Sequence, residues 1–155
     1  MSQPQALEIR NKIAFQIISK NVIRGMSEKS PDKVKVSLQE LEKNLSTYTK
    51  SFDSQLLSSI LMIIQDEFMV SSQPLLRKNG LMLIKTVMNV CKTSMENVIS
   101  DYLDSILAAG TDQDSGVRLS AVETLMLLDE QPIKLLLKYL DKIFISLGLV
   151  SLFLT

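Results

Sequence analysis

Residues 112–125 read Asp112-Gln113-Asp114-Ser115-Gly116-Val117-Arg118-Leu119-Ser120-Ala121-Val122-Glu123-Thr124-Leu125. The acidic turn offers carboxylates that can accept from the amides a first helical turn leaves free. Val117, Ala121 and Leu125 then recur every four residues, which lays one apolar stripe along one helix face. Arg118 follows the first apolar residue, and a small residue, Ala121, comes three places later. The same arrangement occurs twice upstream. Residues 32–41 (DKVKVSLQEL) and 74–83 (PLLRKNGLML) align with 115–124 without gaps. Lys35, Arg77 and Arg118 fall into register, with Leu38, Gly80 and Ala121 behind them, each able to pack inward. The basic positions are 42 and 41 residues apart. A period of that length holding two helices is that of HEAT and armadillo units.

Outward from this block, helical apolar spacing fills the chain. It predicts helices over 5–25 (Ile9, Ile13, Ile17, Ile18), 31–50, 53–69, 74–91, 95–109 and 115–128, and a last one opened by Pro132. Ser30-Pro31 supplies an N-cap and a proline at the first helical position. No period-2 run and no hairpin turn interrupts the pattern. Short turns make successive helices antiparallel neighbours. The expectation is an all-α fold, an α-solenoid of HEAT/armadillo-like helical hairpins over residues 5–144, about three and a half repeats. A compact helical bundle is the alternative, but a bundle does not require a fixed 41–42 spacing.

Composition narrows the chemistry. The 155 residues carry 17 Lys+Arg and 17 Asp+Glu, so no net charge draws the chain to a polyanion and nucleic acid is not an expected partner. There is no histidine, which removes His-based triads, general bases and metal sites. The one cysteine, Cys91, leaves no intramolecular disulfide and no CxxC pair. The hydrophobic fraction of 46% argues against disorder. Residues 1–12 show no apolar signal core, and with one cysteine the expected compartment is reducing and intracellular. From Ile143 to Thr155 there is no charge in 13 residues. As a helix this spans ~20 Å, against ~30 Å of bilayer hydrocarbon. A tail anchor and a buried last helix are two readings of it. The reading preferred here is a chain cut within a larger fold, with an apolar tail over 145–155 outside the repeats, because a terminal repeat needs a polar outer face.

Few residues could carry chemistry. Asp66 and Glu67 are adjacent on a helix and diverge by about 100°, as solvated residues do. Asp112 and Asp114 lack the glycine and glutamate of an EF-hand loop and read as turn and cap. Cys91 ends an apolar stripe near a helix C-terminus, the wrong end to stabilise a thiolate. Lys78-Asn79-Gly80 follows no strand and is no phosphate loop; Gly80 reads as close helix packing. The ladder Lys35, Arg77, Arg118 has two readings. Each member can bond acidic or carbonyl groups of the next repeat, or, with Lys33 and Lys78, meet anionic lipid headgroups. No catalytic, cofactor-binding or metal residue is expected, and a small helical enzyme would need a polar constellation the sequence lacks.

Several segments taken together resemble one family: Asn21-Val22-Ile23-Arg24, Glu67-Phe68, Ser71-Ser72-Gln73-Pro74-x-x-Arg77-Lys78-x-Gly80-Leu81, Tyr102-Leu103-x-x-Ile106, and Asp112-x-Asp114-Ser115-x-Val117-Arg118-x-x-Ala121-x-Glu123-x-Leu125. Their order and spacing over residues 20–130 resemble the N-terminal HEAT repeats of the vacuole-morphology scaffold family. The family motif falls on Arg77, Lys78, Gly80, Leu81, Asp112, Asp114, Val117, Arg118 and Ala121. Asn79 stands where the family has a first glycine, and Leu119 and Ser120 where it has aromatics. The resemblance implies a non-catalytic scaffold without cofactor. Its partners would be a PIKfyve-type phosphatidylinositol 3-phosphate 5-kinase and the opposing lipid phosphatase, with self-association in the full-length protein. It would sit peripherally, through partners, on endosomal, vacuolar or lysosomal membranes. The alternative is a HEAT adaptor of a vesicle coat or phosphatase complex. The Arg77-Lys78-x-Gly80-Leu81 block separates the two, since generic HEAT repeats do not require it.

Overall fold

A computed structural model describes residues 11–48, 53–95 and 98–127. The expected helix at 133–144 and the apolar run at 145–155 lie outside them. Among the described residues the fold is all-α, a solenoid of helical hairpins. Residues 11–17 form α1. Lys20–Met26 (α2) and Pro31–Tyr48 (α3) follow. Ser54–Ile64 (α4) widens into a π-helical turn at Gln65–Met69. Pro74–Cys91 (α5) ends in a 3-10 turn, Lys92–Met95. Ile99–Ala109 (α6) and Ser115–Met126 (α7) complete the set.

Three hairpins stack. α2 packs on α3, α4 with its π-turn on α5, and α6 on α7. The second helices, α3, α5 and α7, lie side by side and form one continuous layer. The apolar stripes read from the sequence make the core. Leu41, Leu45, Leu57, Ile60, Ile64 and Val87 have no exposed surface. Leu38 and Leu76 are only half-buried. Capping follows the sequence locally. Asp53 accepts from Leu56 N–H at 2.7 Å to start α4. Asp114 accepts from Val117 N–H at 3.0 Å to start α7. Pro74 stands at the first position of α5, where its missing N–H costs nothing.

Two expected helices are corrected. The single helix over 5–25 is broken between Ile17 and Lys20. Ser19 leaves the helix and caps α2, its hydroxyl accepting from Val22 N–H at 3.2 Å. The same hydroxyl donates to Glu40 at 2.7 Å, and Asn44 donates to the Ile17 carbonyl at 3.0 Å. Glu40 and Asn44 are one turn apart on α3, so that helix supplies both partners the break needs. Ile17 and Ile18 stay fully buried through it, which is why apolar spacing runs across without a mark. The helix expected from 95 begins at Ile99, and Met95 belongs to the 3-10 turn instead.

A second register line accompanies the basic one. Ser37, Asn79 and Ser120 are all buried, and they stand 42 and 41 residues apart, two places after Lys35, Arg77 and Arg118. Asn79 is 2% exposed and donates to the Met26 carbonyl at the end of α2, at 2.7 Å. It thereby satisfies one of the carbonyls a helix end leaves free and ties the second repeat to the first.

Candidate protein-interaction surface

Arg77 lies near the start of α5, close enough to reach the loop between α6 and α7. Its Nε donates to Asp112 Oδ2 at 2.7 Å and its Nη2 to Oδ1 at 2.9 Å, a two-pronged pair. Nη1 donates to the Ser71 carbonyl at 2.9 Å. The side chains are 20% and 11% exposed, shielded but not dry. The hydrogen bond from Arg77 holds the Asp112 carboxyl below its usual range, and the same bond raises the guanidinium. Asp112 Oδ1 also accepts from Asp114 N–H at 2.9 Å. The acidic turn therefore clamps two repeats together and caps α7 at once.

Arg118 turns the other way. Its Nη1 donates to the carbonyls of Asp112 at 2.7 Å and Gln113 at 2.8 Å, within its own hairpin loop. Arg77 to Ser71 and Arg118 to Asp112 share one offset, six residues back. Lys35 is exposed and bonds to no described side chain or carbonyl. Among the described residues the ladder expected from the sequence thus has its inter-repeat rung at Arg77 alone. The residue matching Asp112 in the second repeat is Ser71, which has no carboxylate, and lysine lacks the fork that grips two acceptors.

The other motif residues divide by burial. Leu81, Val117 and Ala121 are fully buried in the core. Gly80 is buried where α5 meets the π-turn, and a Cβ there would stand 2.7 Å from Phe68 Cβ and 3.0 Å from Met69 Sδ. Lys78 points to solvent. It begins an outward stripe on α5 with Met82 and Lys85. Beside this stripe a groove of about 540 Å³ separates α3 from α5, floored by Leu38, Leu75 and Met82. A second, of about 250 Å³, separates α5 from α7 at Leu119, which is 61% exposed. Leu38, Lys78, Met82 and Thr86 line both, so the two form one surface across the layer of second helices. Half-buried apolar side chains edged by charges suit a protein partner.

The remaining candidates lie elsewhere. Asp66 and Glu67 are exposed on the π-turn. Cys91 is buried, and desolvation pushes its thiol up to about 12, so little thiolate exists at neutral pH. Among the described residues no His/Cys/Asp/Glu cluster could hold a metal ion, and no helix is long and apolar enough to cross a membrane. Sequence reasoning missed Asn79 as a tie between repeats. The signal was present: a buried polar residue recurring at the period of the basic one.

The family model of the Vacuolar 14 Fab1-binding region matches residues 76–153, half of the chain. The match opens one residue before Arg77, takes in the clamp and both helices of the third hairpin, and runs into the uncharged stretch after residue 145. The chain is 30% identical over 112 residues to the Protein VAC14 homolog of Arabidopsis thaliana, a stretch that is 72% of this chain and 15% of that protein. The chain thus spans a small part of that relative's length. No solved structure matches it.

Proposed function

Because the chain belongs to the Vacuolar 14 family, we propose that it is a non-catalytic scaffold segment that binds a Fab1-type lipid kinase. The observation that carries this reading is the overlap of the matched Fab1-binding range with the clamp and the outer face of α5 and α7. Arg77 and Asp112 hold two repeats in one fixed relation, and Asp114 and Arg118 order the turn that carries Asp112. Gly80, Leu81, Val117 and Ala121 set how closely their helices pack. Lys78 belongs to the surface that such packing presents. A solenoid ordered in this way offers a preformed face, so a partner meets a smaller ordering cost.

The finer reading follows the family. The kinase makes phosphatidylinositol 3,5-bisphosphate, the scaffold also holds the opposing phosphatase, and the assembly sits peripherally on endosomal, vacuolar or lysosomal membranes. The test is purification of the tagged protein from its own cells, with mass spectrometry of what remains bound, beside lipid analysis of the deletion strain. A phosphatidylinositol 3-phosphate 5-kinase in the eluate, lowered phosphatidylinositol 3,5-bisphosphate and swollen vacuoles are expected. Normal levels of that lipid together with coat-adaptor or protein-phosphatase subunits in the eluate would replace this reading with a generic HEAT adaptor.

A further inference from the structure

Resting on the scaffold reading, we infer that the outer face of α3, α5 and α7 seats an acidic amphipathic helix of the protein partner. Its apolar side lies over Leu38, Met82 and Leu119, and its carboxylates meet Lys35 and Lys78. Charge settles the sign of the occupant. Of the acids at the groove, Glu28 is already paired with Lys33 and Glu123 with Lys85. Lys29, Lys35 and Lys78 line the groove and form no ion pair with a described residue, whereas Glu42 is the acid left in that condition. The uncommitted charge is therefore positive. Electrostatic complementarity of this kind fixes partner and register.

Shape points to a helix. Every element among the described residues is helical, so no sheet edge is available for an added strand. Three adjacent helices at ~8–10 Å spacing give a face of ~20 Å, which takes between three and four turns at ~5.4 Å each. A second copy of this chain would bring the same positive surplus against itself in a two-fold contact. Three lysines offset by Glu42, without an aromatic rim, make a weak match to a lipid surface. The α5 and α7 part of the face, from Lys78 to Glu123, lies inside the matched range 76–153.

The test compares the full chain with the double variant Lys35→Glu/Lys78→Glu and with Lys43→Glu, an exposed lysine of α3 outside the groove. Circular dichroism confirms equal helicity. Kinase retained on purification is then read as 5-kinase activity. In parallel, two synthetic helices of about four turns, alike in their leucines but carrying Glu or Lys beside them, are titrated by fluorescence anisotropy. The double variant is expected to retain about ten-fold less kinase and to bind the Glu helix about ten-fold more weakly, with Lys43→Glu unchanged. Kinase retained equally by wild type and double variant overturns this inference and leaves the scaffold reading standing. Kinase absent from both overturns the scaffold reading itself. No saturable binding of the Glu helix, or equal binding of both helices, overturns the inference. So do lysine-dependent co-sedimentation with phosphatidylserine vesicles in its place and a dimer that the double variant abolishes.

Discussion

At Gly80 a methyl group has no room. The 2.7 Å that would separate it from Phe68 Cβ is inside van der Waals contact, and Phe68 has no exposed surface into which to move. Alanine is the better helix former by about 1 kcal/mol, yet overpacking a filled site costs about 1–3 kcal/mol. Gly80→Ala is therefore expected to destabilise by up to about 2 kcal/mol in urea unfolding; a variant more stable than wild type would mean that the π-turn yields. Gly80 was legible as a close-packing position, because it stands in register with Ala121. What its neighbour Asn79 does was not. A buried asparagine in mid-helix is unfavourable unless its amide finds a partner, and that partner, the Met26 carbonyl, comes from a helix 53 positions away in sequence.

Among the elements, the described helices of the three hairpins follow the apolar spacing, and their starts follow the caps. Asp53, Asp114 and Pro74 stand where local chemistry puts them. The break between α1 and α2 obeys a different rule. No glycine or proline marks it, and the buried stripe passes straight through at Ile17 and Ile18. It persists because α3 satisfies the groups it exposes, through Glu40 to Ser19 and Asn44 to the Ile17 carbonyl. Asn44→Ala removes one of those partners, and a side chain–backbone bond of this kind contributes about 0.5–1.5 kcal/mol. Amides across 14–20 are expected to exchange faster in hydrogen-exchange mass spectrometry, with those of α5 and α7 unchanged. Uniform loss of protection along the chain would instead assign Asn44 to the common core.

At the scale of the molecule, neighbouring repeats are joined by apolar packing and, among the described residues, by a handful of polar ties: Asn79 to the Met26 carbonyl between the first and second, and Arg77 to Asp112, Lys85 to Glu123 and Tyr102 to the Ser58 carbonyl between the second and third. Stability of a solenoid is the sum of its repeats and their interfaces. A charged, two-pronged hydrogen bond at one interface thus carries weight, about 1–2 kcal/mol at this degree of shielding. It also makes stability depend on pH. The folded Asp112 carboxyl lies below the usual range, whose unfolded value is about 3.9. Its contribution is complete above that value and is lost as pH falls through the lowered folded one. Asp112→Asn is expected to be less stable than wild type at pH 7, with the gap closing as pH falls below about 4. Denaturation curves from neutral to acid pH check this; a gap that stays constant would mean that the carboxylate charge adds nothing to the clamp.

The sequence alone determined the helical class, the hairpin repeat of 41–42 residues, most of the buried stripes, the cap at Asp114 and the family, because each follows from periodicity or from chemistry within a few residues. It also put Arg77 in a basic register. Only the tertiary structure decided that Arg77 grips the next repeat while Arg118 serves its own loop and Lys35 faces water. For Arg77 and Lys35 the outcome turns on which residue stands opposite: a carboxylate at Asp112, a serine at Ser71. The same holds for the break at Ser19, the tie at Asn79 and the outer groove. Each depends on groups brought from distant positions, and one-dimensional spacing carries no record of what a side chain will meet across an interface.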